Sequence, residues 1–170
     1  IVQRERVPFI LHGMRGTQQK FFDSDWATDL NQRTRVIYPI KPSSMVTSIA
    51  LAPLLFGRRF WTGLTNALFG KRESMRCRVA CLAHFFVACH WARNLRHDDL
   101  SHIHAQWAHS SGSIGMYGAW LLGKSFSFTG HAADLFRERV ALSDKSRRAE
   151  FIGCISTCHW NLYKKLGAHD

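Results

Sequence analysis

The chain has 170 residues, 46% of them hydrophobic with 12 Phe and 6 Trp, which supplies one domain with a sizeable core and excludes a disordered tract. Its 23 Lys and Arg against 12 Asp and Glu give a formal charge of +11 and a pI near 10, so an anionic partner is expected: nucleic acid, a membrane surface or a phosphorylated ligand. Five cysteines with no C-x-x-C pair exclude a disulfide framework and a zinc knuckle, and read as reduced, mostly buried thiols of a cytosolic protein.

The chain opens at Ile1 without Met, with Gln3-Arg4-Glu5-Arg6 running straight into apolar sequence, and reads as a fragment whose upstream residues are absent. Residues 7–13, a continuous apolar run ended by Gly13, predict a short buried strand. The polar stretch 14–33 is expected to be irregular, and 34–38 to be a second strand stopped by Pro39 and Pro42. From Ser43 the pattern turns helical. Ser43 or Ser44 caps a helix running through Leu55, with Pro53 bending or ending it.

Gly57 and Gly70 bracket a helix over 58–69. The longest helix is expected over 73–96, where Met75, Val79, Leu82, Phe86 and Cys89 recur at three- and four-residue spacing and share one face. Its apolar run, 79–92, is broken by His84 and His90 and falls short of the roughly 20 residues that span a bilayer. Then come a strand over 101–107, a turn at Ser110-Ser111-Gly112, a helix over 113–122 closed by Gly123 and a strand over 125–129. A helix over 140–148, a strand over 150–155 and a helix over 157–166 stopped by Gly167 complete the chain. This β-α-β-α-β-α order predicts an α/β, Rossmann-like three-layer sandwich with a mainly parallel sheet, one domain over residues 1–170.

Ligands of parallel α/β sheets bind beyond the carboxyl ends of the strands, which is where strand 125–129 delivers Thr129, Gly130, His131 and Asp134. An imidazole there can hydrogen-bond a hydroxyl while the carboxylate three residues on orients it, and Gly130 lets a ligand approach the backbone. The alternative is that His131 caps the next segment and Asp134 begins it. Ser110, Ser111 and Gly112 open a helix after a strand, so their amides either hold a phosphate or carboxylate or serve as an ordinary cap; no G-x-G-x-x-G accompanies them.

Between Gly57 and Arg96 lie eight basic residues and one acid, interleaved with Phe60, Trp61, Leu64, Leu68 and Phe69. Such helices either lie on an anionic membrane or carry solvated charge around a packed core. Nucleic acid is less favoured, since the aromatics follow helical spacing and make no stacking platform. His102 and His104 share a strand face but lack a third metal ligand, so they read as packed or hydrogen-bonded residues. No Gly-x-Ser-x-Gly elbow and no paired carboxylates support hydrolysis.

Three segments, His102-Ile-His-Ala-Gln-Trp-Ala108, Phe126-Ser-Phe-Thr-Gly-His-Ala-Ala-Asp134 and Arg148-Ala-Glu-Phe-Ile-Gly-Cys-Ile-Ser156 followed by Asn161-Leu-Tyr, together resemble the amino-terminal domain of family-four glycosyltransferases. The group is the bacterial exopolysaccharide or lipopolysaccharide type, and the match keeps order and spacing over 100–166 and pattern alone over 7–96. The resemblance implies one half of a GT-B fold, and retaining transfer of a sugar from a nucleotide-sugar donor to a saccharide or lipid-linked acceptor, with no metal or other cofactor required.

By the same resemblance, His131 bonds a donor-sugar hydroxyl, Thr129, Gly130 and Asp134 support that loop, and Trp107, His109, Ser110, Ser111 and Gly112 line the acceptor side. The family usually shows a second His where this chain has Gln106, and its first strand and donor-binding domain are expected outside the chain, so the fragment alone is expected to be inactive. The reading is a cytoplasmic enzyme held at the inner membrane face by the basic helices of 57–96. The alternatives are a non-catalytic basic module binding nucleic acid or phosphorylated polysaccharide, and a nucleotide-sugar epimerase or dehydrogenase fragment.

Overall fold

The structure, a computed structural model, describes residues 8–16, 24–136 and 139–168, the side chains of Ala132 and Ala133 apart. The chain divides into two units, 1–41 and 42–170.

In the first unit β1 (His12–Arg15) pairs in parallel with β2 (Arg35–Tyr38), with His12 opposite Arg35 and Arg15 opposite Tyr38. Their connection includes helix α1 (Asp25–Arg33), which carries Asp25 in its first turn and an Arg33–Asp29 ion pair of 2.9 Å one turn apart. The strand expected at 7–13 is therefore displaced: Phe9, Ile10 and Leu11 precede β1 and are exposed, and Val7 lies outside the described residues. An apolar run becomes a strand only where a neighbour completes its ladder, and β2 offers four residues, which meet 12–15. The stretch 14–33, expected to be irregular, contains α1, whose stabilisation is charge placement with no buried residue, a pattern that apolar periodicity does not register. Residues 17–23 of that stretch lie outside the described residues.

The second unit begins with α2 (Pro42–Phe56), whose first residue is a proline with no amide to leave unbonded, and which keeps Pro53 in its last turn. Helix α3 (Arg58–Phe69) follows, then α4 (Met75–Leu95), capped by Ser74 Oγ accepting from the Cys77 amide at 3.1 Å. Helix α4 packs against α2, α3 and α5 (Ser110–Leu122) at once. Its buried line is Cys81, Phe85, Ala88, Cys89, Ala92 and Leu95, whereas Met75 and Val79, expected on the inner face, are 70% and 64% exposed. In the first two turns it is Cys77 and Ala80 that face inward, against Cys81, Val140 and Ala141, and the later turns use small side chains that let the neighbouring helices close in. Two glycines make the approach possible: a Cβ on Gly63 would stand 2.8 Å from Phe85, and one on Gly118 would stand 2.6 Å from Trp91.

Strands β3 (His102–Ala105), β4 (Ser125–Thr129) and β5 (Phe151–Gly153) form an all-parallel sheet in that order, with Ile103 opposite Phe126 and Phe128 opposite Ile152. Its connections carry α5, then α6 (Ala132–Phe136) with α7 (Leu142–Arg148), and α8 (Thr157–Lys165) follows β5. The order steps one way across the sheet, and right-handed crossovers that keep stepping one way put their helices on one face. That face carries Ile103, Ala105, Phe126 and Phe128. Gly115 of α5 sits against the first three, and Tyr163 of α8 meets Phe128 edge-on at 5.7 Å.

The protein is thus an α/β, Rossmann-like fold with two small, wholly parallel sheets. No helix among the described residues is long and apolar enough to cross a membrane.

A buried ionic network locks the α3–α4 turn to α5 and α7. Arg72, its side chain fully buried, donates to Asp144 Oδ2 at 2.7 Å and to Tyr117 Oη at 3.2 Å, while Asn66 bonds Asp144 and Tyr117. Burial pushes the Asp144 carboxyl up. The hydrogen bonds from Arg147, Asn66 and Arg72 outweigh it and hold the group below the usual carboxylate range.

Candidate functional site

The carboxyl ends of β3 and β4 release Gln106-Trp107 and Gly130-His131 side by side. The His131 carbonyl accepts the amides of Asp134, at 3.0 Å, and Leu135, so the backbone of His131 starts α6 while its ring stays at the rim. That ring is half-buried and lies 4.2 Å from the Trp107 ring at an angle of 42°. Gln106 Nε2 donates to His131 Nε2 over a long 3.5 Å, and the indole of Trp107 is 51% exposed. An aromatic plane, an imidazole and a carboxamide therefore converge on one open edge of the sheet.

The remaining residues singled out in the sequence support this edge or turn away from it. Asp134 Oδ2 accepts the Ala108 amide at 2.9 Å, tying the two strand-end loops together. Gly130 is buried, and a Cβ there would run into Leu135 and the Tyr163 hydroxyl, so the missing side chain makes room for α8 and not for a ligand. Thr129 Oγ1 hydrogen-bonds His104 Nε2 at 3.3 Å on the helix-free face. At the start of α5, Ser111 donates to the Trp107 carbonyl at 3.1 Å and His109 Nδ1 bonds Ser110 Oγ at 2.8 Å. A Cβ on Gly112 would stand 2.7 Å from the Trp107 carbonyl, so this helix start is packed against its own loop.

Lys145 holds the same loop from within. It is wholly buried and donates to the carbonyls of Ala108, of His109 at 3.2 Å and of Val140 at 2.6 Å. The Ala108 peptide is gripped on both sides, by Asp134 at its N–H and by Lys145 at its C=O, which fixes the base of Trp107. Burial draws the Lys145 ammonium down to about 7. Nothing in Leu-Ser-Asp-Lys-Ser-Arg-Arg marks that lysine in the sequence, where it reads as part of a solvated face.

The other face of the sheet carries a ladder of polar side chains. Ser125 bonds His102 at 2.6 Å, His102 bonds Ser127 at 2.6 Å, Ser127 bonds His104 at 2.7 Å, and His104 bonds Thr129, with Phe151 stacked over both imidazoles. Glu150 lies 3.4 Å from His102 Nδ1, so Glu150, His102 and Ser127 stand in the order of a hydrolytic triad. Ser127 is completely buried under the rings and reaches no substrate, which removes hydrolysis by that route. Among the described residues no group of three or more His, Cys, Asp or Glu side chains is placed to hold a metal ion. Compared with protein-family models, with curated proteins and with solved structures, the chain matches none.

Proposed function

We propose that this chain is the saccharide-binding half of a retaining, nucleotide-sugar-dependent glycosyltransferase, in which His131 hydrogen-bonds a hydroxyl of the transferred sugar. The observation that carries this reading is the His131 ring at the carboxyl rim of a parallel sheet, set against a half-exposed indole with Gln106 beside it. An indole face covers the C–H side of a pyranose, while an imidazole and a carboxamide bond the hydroxyls around its edge, the pairing of apolar plane and convergent polar groups that sugar sites need. His131 positions the sugar; the nucleotide is held by a facing lobe, so the chain alone binds saccharides weakly and transfers nothing.

The test is binding by the chain itself. With the Trp107 indole N–H and the His131 ring protons followed by NMR, a panel of nucleotide-sugars and free saccharides is expected to move both signals, and His131→Ala to weaken that binding about tenfold without changing the melting temperature. Signals from both rings that stay still across the panel would remove the proposal.

A further inference from the structure

We infer that a groove between the α2–α3 corner and the ends of α4 and α5 holds the phosphate of an anionic phospholipid at a membrane surface. This inference is independent of the saccharide reading. The groove encloses about 360 Å3, and Arg58, Arg59 and Arg96 line it together with Phe56, Leu121 and Leu122, with no carboxylate in the lining.

One of these arginines has a seat in the fold: a Cβ on Gly123, at the carboxyl end of α5, would run into the Arg59 guanidinium. Arg96 follows the carboxyl end of α4, where a cation suits the helix dipole, and its Nε donates to His97 at 2.8 Å. Arg58 and Arg59 instead occupy the first turn of α3, the positive end of that dipole, with no acid in the turn. Position Gly57 before them supplies no side chain to accept the opening amides, and neither guanidinium has a hydrogen-bond or ion-pair partner among the described residues. Three guanidinium groups around one cleft with no carboxylate among its lining residues are a local repulsion that a bound phosphate relieves.

The apolar part of the corner selects a lipid over a free anion. Leu54 is 83% exposed in the last turn of α2 and Trp61 is 57% exposed beside the arginines, so hydrocarbon and indole project next to the anion-binding groups. This is the arrangement that enters the headgroup zone of a bilayer. Three other cations of the stretch are engaged within the fold: Arg72 is buried on Asp144, Arg78 bonds the Leu68 carbonyl, and Arg93 bonds Ser48 at 3.2 Å. The corner is where three arginines gather in one groove beside exposed apolar side chains.

The experiment is co-sedimentation with vesicles of phosphatidylcholine containing one third phosphatidylglycerol. The wild-type chain is compared with Arg58→Ala/Arg59→Ala/Arg96→Ala and with the charge-matched control Lys41→Ala/Lys164→Ala/Lys165→Ala. The groove variant is expected to lose about a hundredfold in vesicle affinity and the control only a few-fold. Tryptophan emission of the wild type should shift to the blue on these vesicles and be quenched by brominated lipid, and Trp61→Phe should abolish most of both changes. Equal losses in the two charge variants, full competition by inorganic phosphate, or emission changes that survive Trp61→Phe would each overturn the inference.

Discussion

Lys145 and His84 are two bases whose protonation burial holds down, and both act on stability in the same direction. Burial, with the nearby Lys145 and His109 charges, draws His84 from 6.5 to about 4, and its Nδ1 is buried without a partner among the described residues. Between those values the unfolded chain binds a proton that the folded chain does not, so stability falls as pH drops from about 6.5 to 4, by up to about 3 kcal/mol. Lys145, drawn from 10.5 to about 7, makes stability rise again as pH climbs from about 7 towards 10. Urea midpoints across pH 4 to 10 should show both steps, with His84→Leu shrinking the lower one, to which His90 and His104, also drawn down by burial, contribute the remainder. Lys145→Met removes the upper step and, by leaving three carbonyls unbonded, costs about 3 kcal/mol at neutral pH. The position of His131 was legible in the sequence because a polar tripeptide after an apolar strand marks the ligand edge of a parallel sheet. The roles of Gly130 and Asp134 were not, because they depend on which helix and which loop lie alongside.

Elements were legible where punctuation is local. Helix α3 runs between two glycines and β4 between a left-handed Gly123 cap and Gly130, and both appear with the expected bounds. The buried face of α4 was misjudged because three helices contact it, and the neighbours decide which turns are covered. The α3–α4 turn illustrates the same dependence. Arg72 looks like one more surface cation in the sequence, yet it reaches Asn66 of α3, Tyr117 of α5 and Asp144 of α7 at once. Removing its partner with Asp144→Ala should cost about 3 to 5 kcal/mol in chemical denaturation, since it strands a buried guanidinium. The double replacement Arg72→Met/Asp144→Leu should recover much of that loss, and a double-mutant cycle measures the difference.

At the scale of the whole molecule, the alternation of strands and helices was enough to read a parallel α/β fold. The one-sided placement of its helices was not readable, because it follows from spatial strand order and crossover hand. Net charge is also a whole-molecule property, and it makes some attraction to any polyanion unavoidable. Oligonucleotide binding should therefore be weak and disappear with modest added salt, while vesicle binding should keep a salt-resistant part from Leu54 and Trp61; a salt series run on both separates a nucleic-acid module from a lipid-binding one. The serine and imidazole ladder across β3 and β4 has a mechanical corollary. Sliding one of these strands past the other would rupture, along with the backbone pairing, a second row of bonds standing above it. The ladder therefore adds resistance to shear along the full length of β3 and β4, up to the edge that presents Trp107 and His131.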